Sequence, residues 1–308
     1  MSFDLLQEKI IALKNPTVAG LDPKPEYVPP KMLQASLEKH GETLAGAADA
    51  ILQFNKGLID ALCDIVPAVK PQAAYYERLG WRGMEAMEQT IRYAHDKGMF
   101  VIADIKRGDI GSTAEAYSDG WLGSVKVGET DCTAFDADCV TLNGYMGSDS
   151  VNPFLKTCQE KDKCVFLLVK TSNPGSGEYQ DLKMEHGDLA CEVMGDLVEK
   201  WGAGTAGKYG FTRAGAVVGA TYPEQLANMR RRLKNTFLLV PGYGAQGGTA
   251  EDVRHAFDDK GHGAIVNASR SIMCAWKKTG KDGEDYQEAA RAAAIAMRDD
   301  IGRFVTIL

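Results

Sequence analysis

Eight short apolar runs, separated by stretches of helical periodicity, constrain most tightly what this chain can fold into. The runs cover residues 17–21, 66–70, 100–103, 139–143, 164–170, 215–220, 236–241 and 262–267. Between them lie segments patterned as helices, among them 43–64, 82–97, 189–201, 223–233 and 250–258, and an alanine-rich amphipathic helix closes the chain over about 285–303. Parallel strands need a crossover of a dozen or more residues, so strand–helix repetition predicts a parallel sheet. Eight such units fit a closed TIM (β/α)8 barrel, in one domain, better than an open doubly wound sheet. The open sheet's glycine-rich fingerprint is missing after the first run, where Gly20-Leu-Asp-Pro forms no dinucleotide loop. A length of 308 residues is within the range of a single barrel. Two stretches rich in glycine and charge, 118–138 and 175–187, exceed the minimal unit and read as extended strand-to-helix loops after strands 3 and 5.

Barrel enzymes build their sites at the C-terminal ends of the strands. Polar residues at those ends are Asp22, Lys70, Asp104 with Lys106, Asn143, Thr171 with Ser172, Thr221, the glycine-rich loop 242–248, and Ser269 with Arg270. Most informative is the run Phe-Val-Ile-Ala-Asp-Ile-Lys-Arg-Gly-Asp from Phe100, where a buried strand ends in alternating charges. Strand side chains repeat every two residues, so Asp104 and Lys106 are expected on one face. Gly108 would turn the chain and bring Asp109 back towards them. Charges buried at a strand end are costly unless paired, which points to chemistry. Each residue also has a plainer reading when taken alone. Asp104, Lys106 and Asp109 could be a structural ion-pair network, and Lys70 a solvated strand end. Asp22 before Pro23 could start a turn, and Ser172 could cap one. Gln246 could be an ordinary loop residue, and Arg270 could pair with a surface acid.

Composition removes several classes of function. The net charge is −7 and no basic block stands out, which argues against general affinity for nucleic acid. Runs such as 165–169 are far too short to span a bilayer. Residues 1–14 mix acids, bases and apolar side chains, the pattern of an amphipathic helix and not of a signal peptide. Seven cysteines with no Cys-x-x-Cys pair imply reduced thiols and a cytoplasmic setting. The five histidines lack ligand spacing, so no metal site is expected.

Six ordered segments carry a resemblance. They are Gly20-Leu-Asp-Pro, Val69-Lys-Pro-Gln-Ala-Ala-Tyr-Tyr-Glu, Asp104-Ile-Lys-Arg-Gly-Asp-Ile-Gly-Ser-Thr, Thr171-Ser-Asn-Pro-Gly, Val218-Gly-Ala-Thr and Pro241-Gly-Tyr-Gly-Ala-Gln-Gly-Gly. Together they resemble the orotidine 5′-monophosphate decarboxylase family, in its longer, bacterial-type branch. The resemblance implies a TIM barrel that converts orotidine 5′-monophosphate to uridine 5′-monophosphate and CO2, the last step of de novo pyrimidine synthesis, without a cofactor. It implies a catalytic array of Lys70, Asp104, Lys106 and Asp109. Asp109, Ile110 and Thr113 would reach across a homodimer interface into the neighbouring site. Asp22 and Lys70 would bind ribose hydroxyls, Ser172 would read the pyrimidine edge, and Gln246 and Arg270 would hold the phosphate. Gly144 before Tyr145 departs from the family pattern, which has proline there.

That chemistry asks for what the array offers. Loss of CO2 leaves an electron pair on ring carbon C6, and a compact ammonium such as Lys106 can stabilise and then protonate it. Flanking carboxylates would keep that ammonium charged. Two other readings stay open: a metal-dependent sugar-phosphate decarboxylase or isomerase on the same barrel, and a catalytically silent nucleotide-binding protein. Thr171-Ser172 favours the nucleotide enzyme over the first, and the intact charge array argues against the second.

Overall fold

A computed structural model describes residues 2–244 and 247–308. Its strands are β1 (Thr17–Leu21), β2 (Ala68–Pro71), β3 (Phe100–Arg107), β4 (Val125–Val127), β5 (Thr130–Cys132), β6 (Cys139–Leu142), β7 (Cys164–Lys170), β8 (Ala214–Val218), β9 (Leu238–Val240) and β10 (Ala264–Ala268). All except β4 and β5 close into a barrel in the order β1-β10-β9-β8-β7-β6-β3-β2, and every pairing in it is parallel. The expected TIM barrel is therefore the observed fold. Strands covered by side chains inside and by helices outside have no wet face, which is why they read as unbroken apolar runs without alternation. One continuous core runs from Phe3 to Ile307.

The helix Ser2–Leu13 closes the N-terminal end of the barrel. Phe3 stacks on Phe237 with ring centroids 4.9 Å apart and meets Phe166 edge-on at 5.0 Å. A Cβ on Gly215 would lie 2.6 Å from Phe166, so glycine is what admits these rings. Filling that end leaves only the opposite, C-terminal mouth open.

The two extended loops differ in kind. Residues 118–138 do not enlarge a strand-to-helix connection. They finish the helix Gly111–Trp121 and then form an antiparallel hairpin of β4 and β5, so the extra chain lies in the helix-to-strand connection leading to β6. Trp121 stacks on Phe135 at 4.0 Å and pins the hairpin's base. Residues 175–187 do extend the strand-to-helix connection after β7, the fifth barrel strand. Lys170 at the end of that strand is wholly buried, and its ammonium donates to both carboxylate oxygens of Asp181 at 2.8 and 2.9 Å, fastening the loop to the barrel mouth. Among the described residues, no helix is long and apolar enough to cross a membrane.

β3 carries the irregularity that matters for the site. Between the pairs Ala103–Val140 and Arg107–Leu142 it advances four residues while β6 advances two, a bulge. Within the bulge Lys106 has φ of +48°, the left-handed region that a side chain usually avoids. Asp104 and Lys106 do converge, but through this distortion and not through plain strand alternation. Gly108 is needed for a different reason than a turn: a Cβ there would lie 2.9 Å from the Asn143 carbonyl oxygen.

Candidate active site

A cavity of about 730 Å³ opens at the C-terminal mouth of the barrel. Asp22, Lys70, Asp104, Lys106, Ser172 and Arg270 all line it, so residues spread over 249 positions of sequence meet at one place. Asp109, Ile110 and Thr113 do not line it. Gln246 lies outside the described residues.

Asp104 is the hub of the cavity floor. Its Oδ2 accepts from Lys70 Nζ at 2.6 Å and from Gln72 Nε2 at 2.9 Å. Its Oδ1 accepts from Lys106 Nζ at 2.6 Å and from the Thr141 hydroxyl at 2.7 Å. Each carboxylate oxygen thus receives one ammonium and one neutral donor. Burial by itself would push the Asp104 carboxyl up, but Lys70 and Lys106 outweigh it and hold the group well below the usual carboxylate range. Burial likewise disfavours the Lys70 ammonium, and the charges of Asp104 and then Asp22 overcome this and raise it. Lys70 and Asp104 side chains are 6% and 7% exposed, whereas Lys106 is 45% exposed. All three line the cavity, and Lys106 is the most exposed of them.

Asp109 stays apart from this cluster. Its carboxylate accepts from the Ile110 backbone N–H at 2.8 Å, and the chain continues outward into the helix Gly111–Trp121. Ile110 and Thr113 are exposed. The return of Asp109 to Asp104 and Lys106 within one chain is therefore not what forms, because the chain leaves β3 outward into that helix.

Around the hub the cavity wall is polar and partly unsatisfied. Asp22 follows β1, and its Oδ1 is buried without a hydrogen-bond partner among the described residues; Asn267 Oδ1 on β10 is in the same state. Both oxygens are available to hydroxyl donors of a ligand. Ser172 follows β7, and a Cβ on Gly219 would stand 3.0 Å from the Ser172 Cβ, so the glycine lets β8 pack beside it. Thr171 is fixed by Gln180, which accepts from the Thr171 N–H at 2.9 Å and donates to its hydroxyl at 2.8 Å. In the glycine loop Gly242, Gly244 and Gly247 have φ of +100°, +71° and +96°, conformations only glycine holds without strain. Tyr243 ties that loop to the helix Tyr286–Gly302 by donating to Asp300 Oδ2 at 2.8 Å. Arg270 sits exposed at the cavity edge, and no acidic partner holds it among the described residues. Lys24, partly exposed and 3.9 Å from the Glu26 carboxylate, lines the same cavity as a second cation.

Gln72, Thr141, Gln180, Asn267 and Lys24 were not singled out from the sequence. Gln72 was within reach of it, since it follows Lys70 by two and shares its face. Thr141 carried no local signal, because its importance comes from the neighbouring strand. Among the described residues no three His, Cys, Asp or Glu side chains converge as a metal site would require.

Along nearly its whole length the chain is similar to known proteins. The family described as orotidine 5′-phosphate decarboxylase / HUMPS matches residues 32–281. The chain is similar to the orotidine 5′-phosphate decarboxylase of Rhodopirellula baltica, 42% identical over 300 residues that cover 96% of this chain and 97% of the relative. It is also similar to the enzyme of that name from Clostridium perfringens strain 13, at 41% identity over 98% of both chains. Among solved structures, Leishmania donovani UMP synthase superposes with a TM-score of 0.76 at 32% identity, covering 98% of this chain and 56% of that one.

Proposed function

Because the chain belongs to the orotidine 5′-phosphate decarboxylase family, we propose that the cavity binds orotidine 5′-monophosphate and that Lys106 meets the negative charge formed as it loses CO2. The product is uridine 5′-monophosphate, and the reaction is the decarboxylation of pyrimidine biosynthesis. One observation carries the assignment of Lys106. Its ammonium is anchored 2.6 Å from a carboxylate that three further donors fix, yet it remains half-exposed to the cavity.

In the proposed sequence, the bond from C6 to the carboxylate carbon breaks and its electron pair stays on C6. Lys106 Nζ faces that pair as a fixed positive charge and then transfers a proton to C6; solvent returns the proton to the amine. A preoriented charge needs no reorganisation as the transition state forms, which is where most of such an acceleration arises. Asp104 facing the substrate carboxylate adds a second effect. Two like charges about 4 Å apart repel by roughly 4 kcal/mol at an effective dielectric near 20, and departure of neutral CO2 relieves this. Lys70 holds Asp104 ionised against that repulsion. Asp22, with its unpartnered Oδ1, and Lys70 take the ribose hydroxyls. Ser172 reads the pyrimidine edge, while Arg270 and Gln246 hold the phosphate. Each decade of rate corresponds to about 1.4 kcal/mol, so binding energy from the remote phosphate must also be used at the reacting carbon.

The partner is a second copy of the chain, with Asp109, Ile110 and Thr113 delivered across the interface, and the setting is the cytoplasm. Ile110, 54% exposed in the single chain, is the kind of surface such an interface would cover. Mixing inactive Lys106→Ala chains with inactive Asp109→Ala chains is expected to restore activity, since a mixed dimer retains one intact site. Proven subunit exchange without recovery would remove the shared-site reading. The reaction itself is tested by following the ultraviolet change as orotidine 5′-monophosphate is consumed by purified protein, with and without a chelator. Activity that is insensitive to chelator is expected. Loss of activity on chelation would favour the metal-dependent sugar-phosphate enzyme, and no turnover at all a silent nucleotide binder.

A further inference from the structure

Thr141 has no assigned role, yet its hydroxyl contacts both Lys106 and Asp104. It is the third residue of β6, 1% exposed, and its hydroxyl faces the bulge of β3. The Lys106 backbone N–H donates to Thr141 Oγ1 at 3.0 Å, and the hydroxyl donates to Asp104 Oδ1 at 2.7 Å. One oxygen therefore touches both ends of the short segment that carries the two reacting charges.

We infer that Thr141 is a positioning residue: its hydroxyl holds the Lys106 backbone in its left-handed conformation and fixes the Asp104 carboxylate, so that the ammonium is aimed before substrate binds. The inference rests on the assignment of Lys106 given above.

The geometry supports this in three ways. First, the β3 bulge takes the Lys106 N–H out of ladder register with β6, and a part-buried N–H that has lost its ladder partner is best satisfied by another acceptor. Thr141 Oγ1 is that acceptor. Second, a φ of +48° persists in a lysine only where the surroundings impose it. Without the Thr141 contact, the bulge is free to relax and carry the side chain away from the cavity. Third, the hydroxyl proton has one direction open. With a lone pair committed to the Lys106 N–H, its proton points at Asp104 Oδ1 and leaves that oxygen's remaining capacity for the Lys106 ammonium. Serine keeps the hydroxyl and loses the methyl; alanine loses both; valine keeps the shape and loses the hydroxyl. The three substitutions therefore separate hydrogen bonding from packing.

The test compares Thr141→Ser, Thr141→Val and Thr141→Ala with the unaltered protein in the ultraviolet assay, and measures kcat, KM, affinity for uridine 5′-monophosphate and thermal midpoint. Thr141→Val is expected to lower kcat about 10- to 100-fold with KM and product affinity changed less than about threefold. Thr141→Ser is expected to recover most of kcat. If Thr141→Val does not fold, Thr141→Ala against Thr141→Ser makes the same comparison. Serine and alanine variants equally slow would make the methyl group's packing the cause and overturn the inference. So would a valine variant with unaltered kcat, or one in which KM rises and product affinity falls in step with kcat. Absence of turnover in the unaltered protein would instead defeat the assignment of the reaction itself, a result distinguishable from all of these.

Discussion

Replacing Lys106 with alanine is expected to remove turnover of orotidine 5′-monophosphate almost completely while leaving the protein folded and able to bind uridine 5′-monophosphate. Two roles disappear with one ammonium. A single preorganised donor at a developing charge is worth about 10²–10³ in kcat, and the same group is the proposed proton source, so a fall of at least about 10³-fold is expected. The fold should tolerate the change because the Lys106 side chain is 45% exposed, and its removal leaves Asp104 with three donors, Lys70 among them. Product binding should persist because ribose, base and phosphate are proposed to be held by Asp22, Lys70, Ser172 and Arg270. Steady-state assay together with titration of the product measures both. Turnover within about tenfold of the unaltered enzyme would move the chemistry to another residue.

Asp104→Asn is expected to cost stability as well as activity, and to change how stability depends on pH. The carboxylate neutralises Lys70, whose side chain is 6% exposed. An amide offers one acceptor oxygen where the carboxylate offers two, and it faces one of the two ammoniums with N–H donors. Removing one partner of a buried ion pair typically costs about 3–5 kcal/mol, because the other charge is left uncompensated. For a chain of this size that corresponds to a thermal midpoint lower by roughly 5–10 °C. In the unaltered protein the Lys70 ammonium is raised above its ordinary 10.5, so its stabilising contribution is complete below that value and is lost as pH rises through the folded-state value. In the variant, burial is no longer opposed by Asp104, and the folded-state value falls below 10.5. The unfolded chain then binds more protons, so stability rises with pH on the alkaline side. Thermal midpoints measured from pH 7 to pH 10 should converge between the two proteins. A variant as stable as the parent at pH 7, with the same slope, would show that the pair is not what keeps Lys70 charged.

Both predictions concern residues that were visible in the sequence, and the reason is physical. Asp104 and Lys106 stand two apart at the end of an apolar strand, and Lys70 ends another. A charge at the close of a buried run is conspicuous without any structure. The barrel was legible for a similar reason: the expected strand 164–170 is the observed β7 residue for residue, and 17–21 is β1. Periodicity is a local property, and a parallel barrel repeats it eight times. Loop placement was less legible. The excess chain at 118–138 was evident, but whether it precedes or follows its helix depends on where the helix Gly111–Trp121 starts, and its N-cap is Ile110, which has no capping side chain, while the Ser112-x-x-Glu115 capping pattern falls inside the helix.

Local periodicity and charge placement thus determined the fold, the mouth at which the site would lie, and most of the ionised side chains there, since each depends on residues a few positions apart. What the tertiary structure alone decided depends on neighbours distant in sequence. The β3 bulge exists relative to β6, and it puts Lys106 at a positive φ that no alternation rule anticipates. Thr141 acquires its two contacts only because β6 lies beside β3. Asp109 does not line the cavity, because the chain enters the helix Gly111–Trp121 almost directly after it. Sequence spacing fixes which face a side chain occupies; packing across strands fixes what that side chain touches, and therefore its charge and its aim.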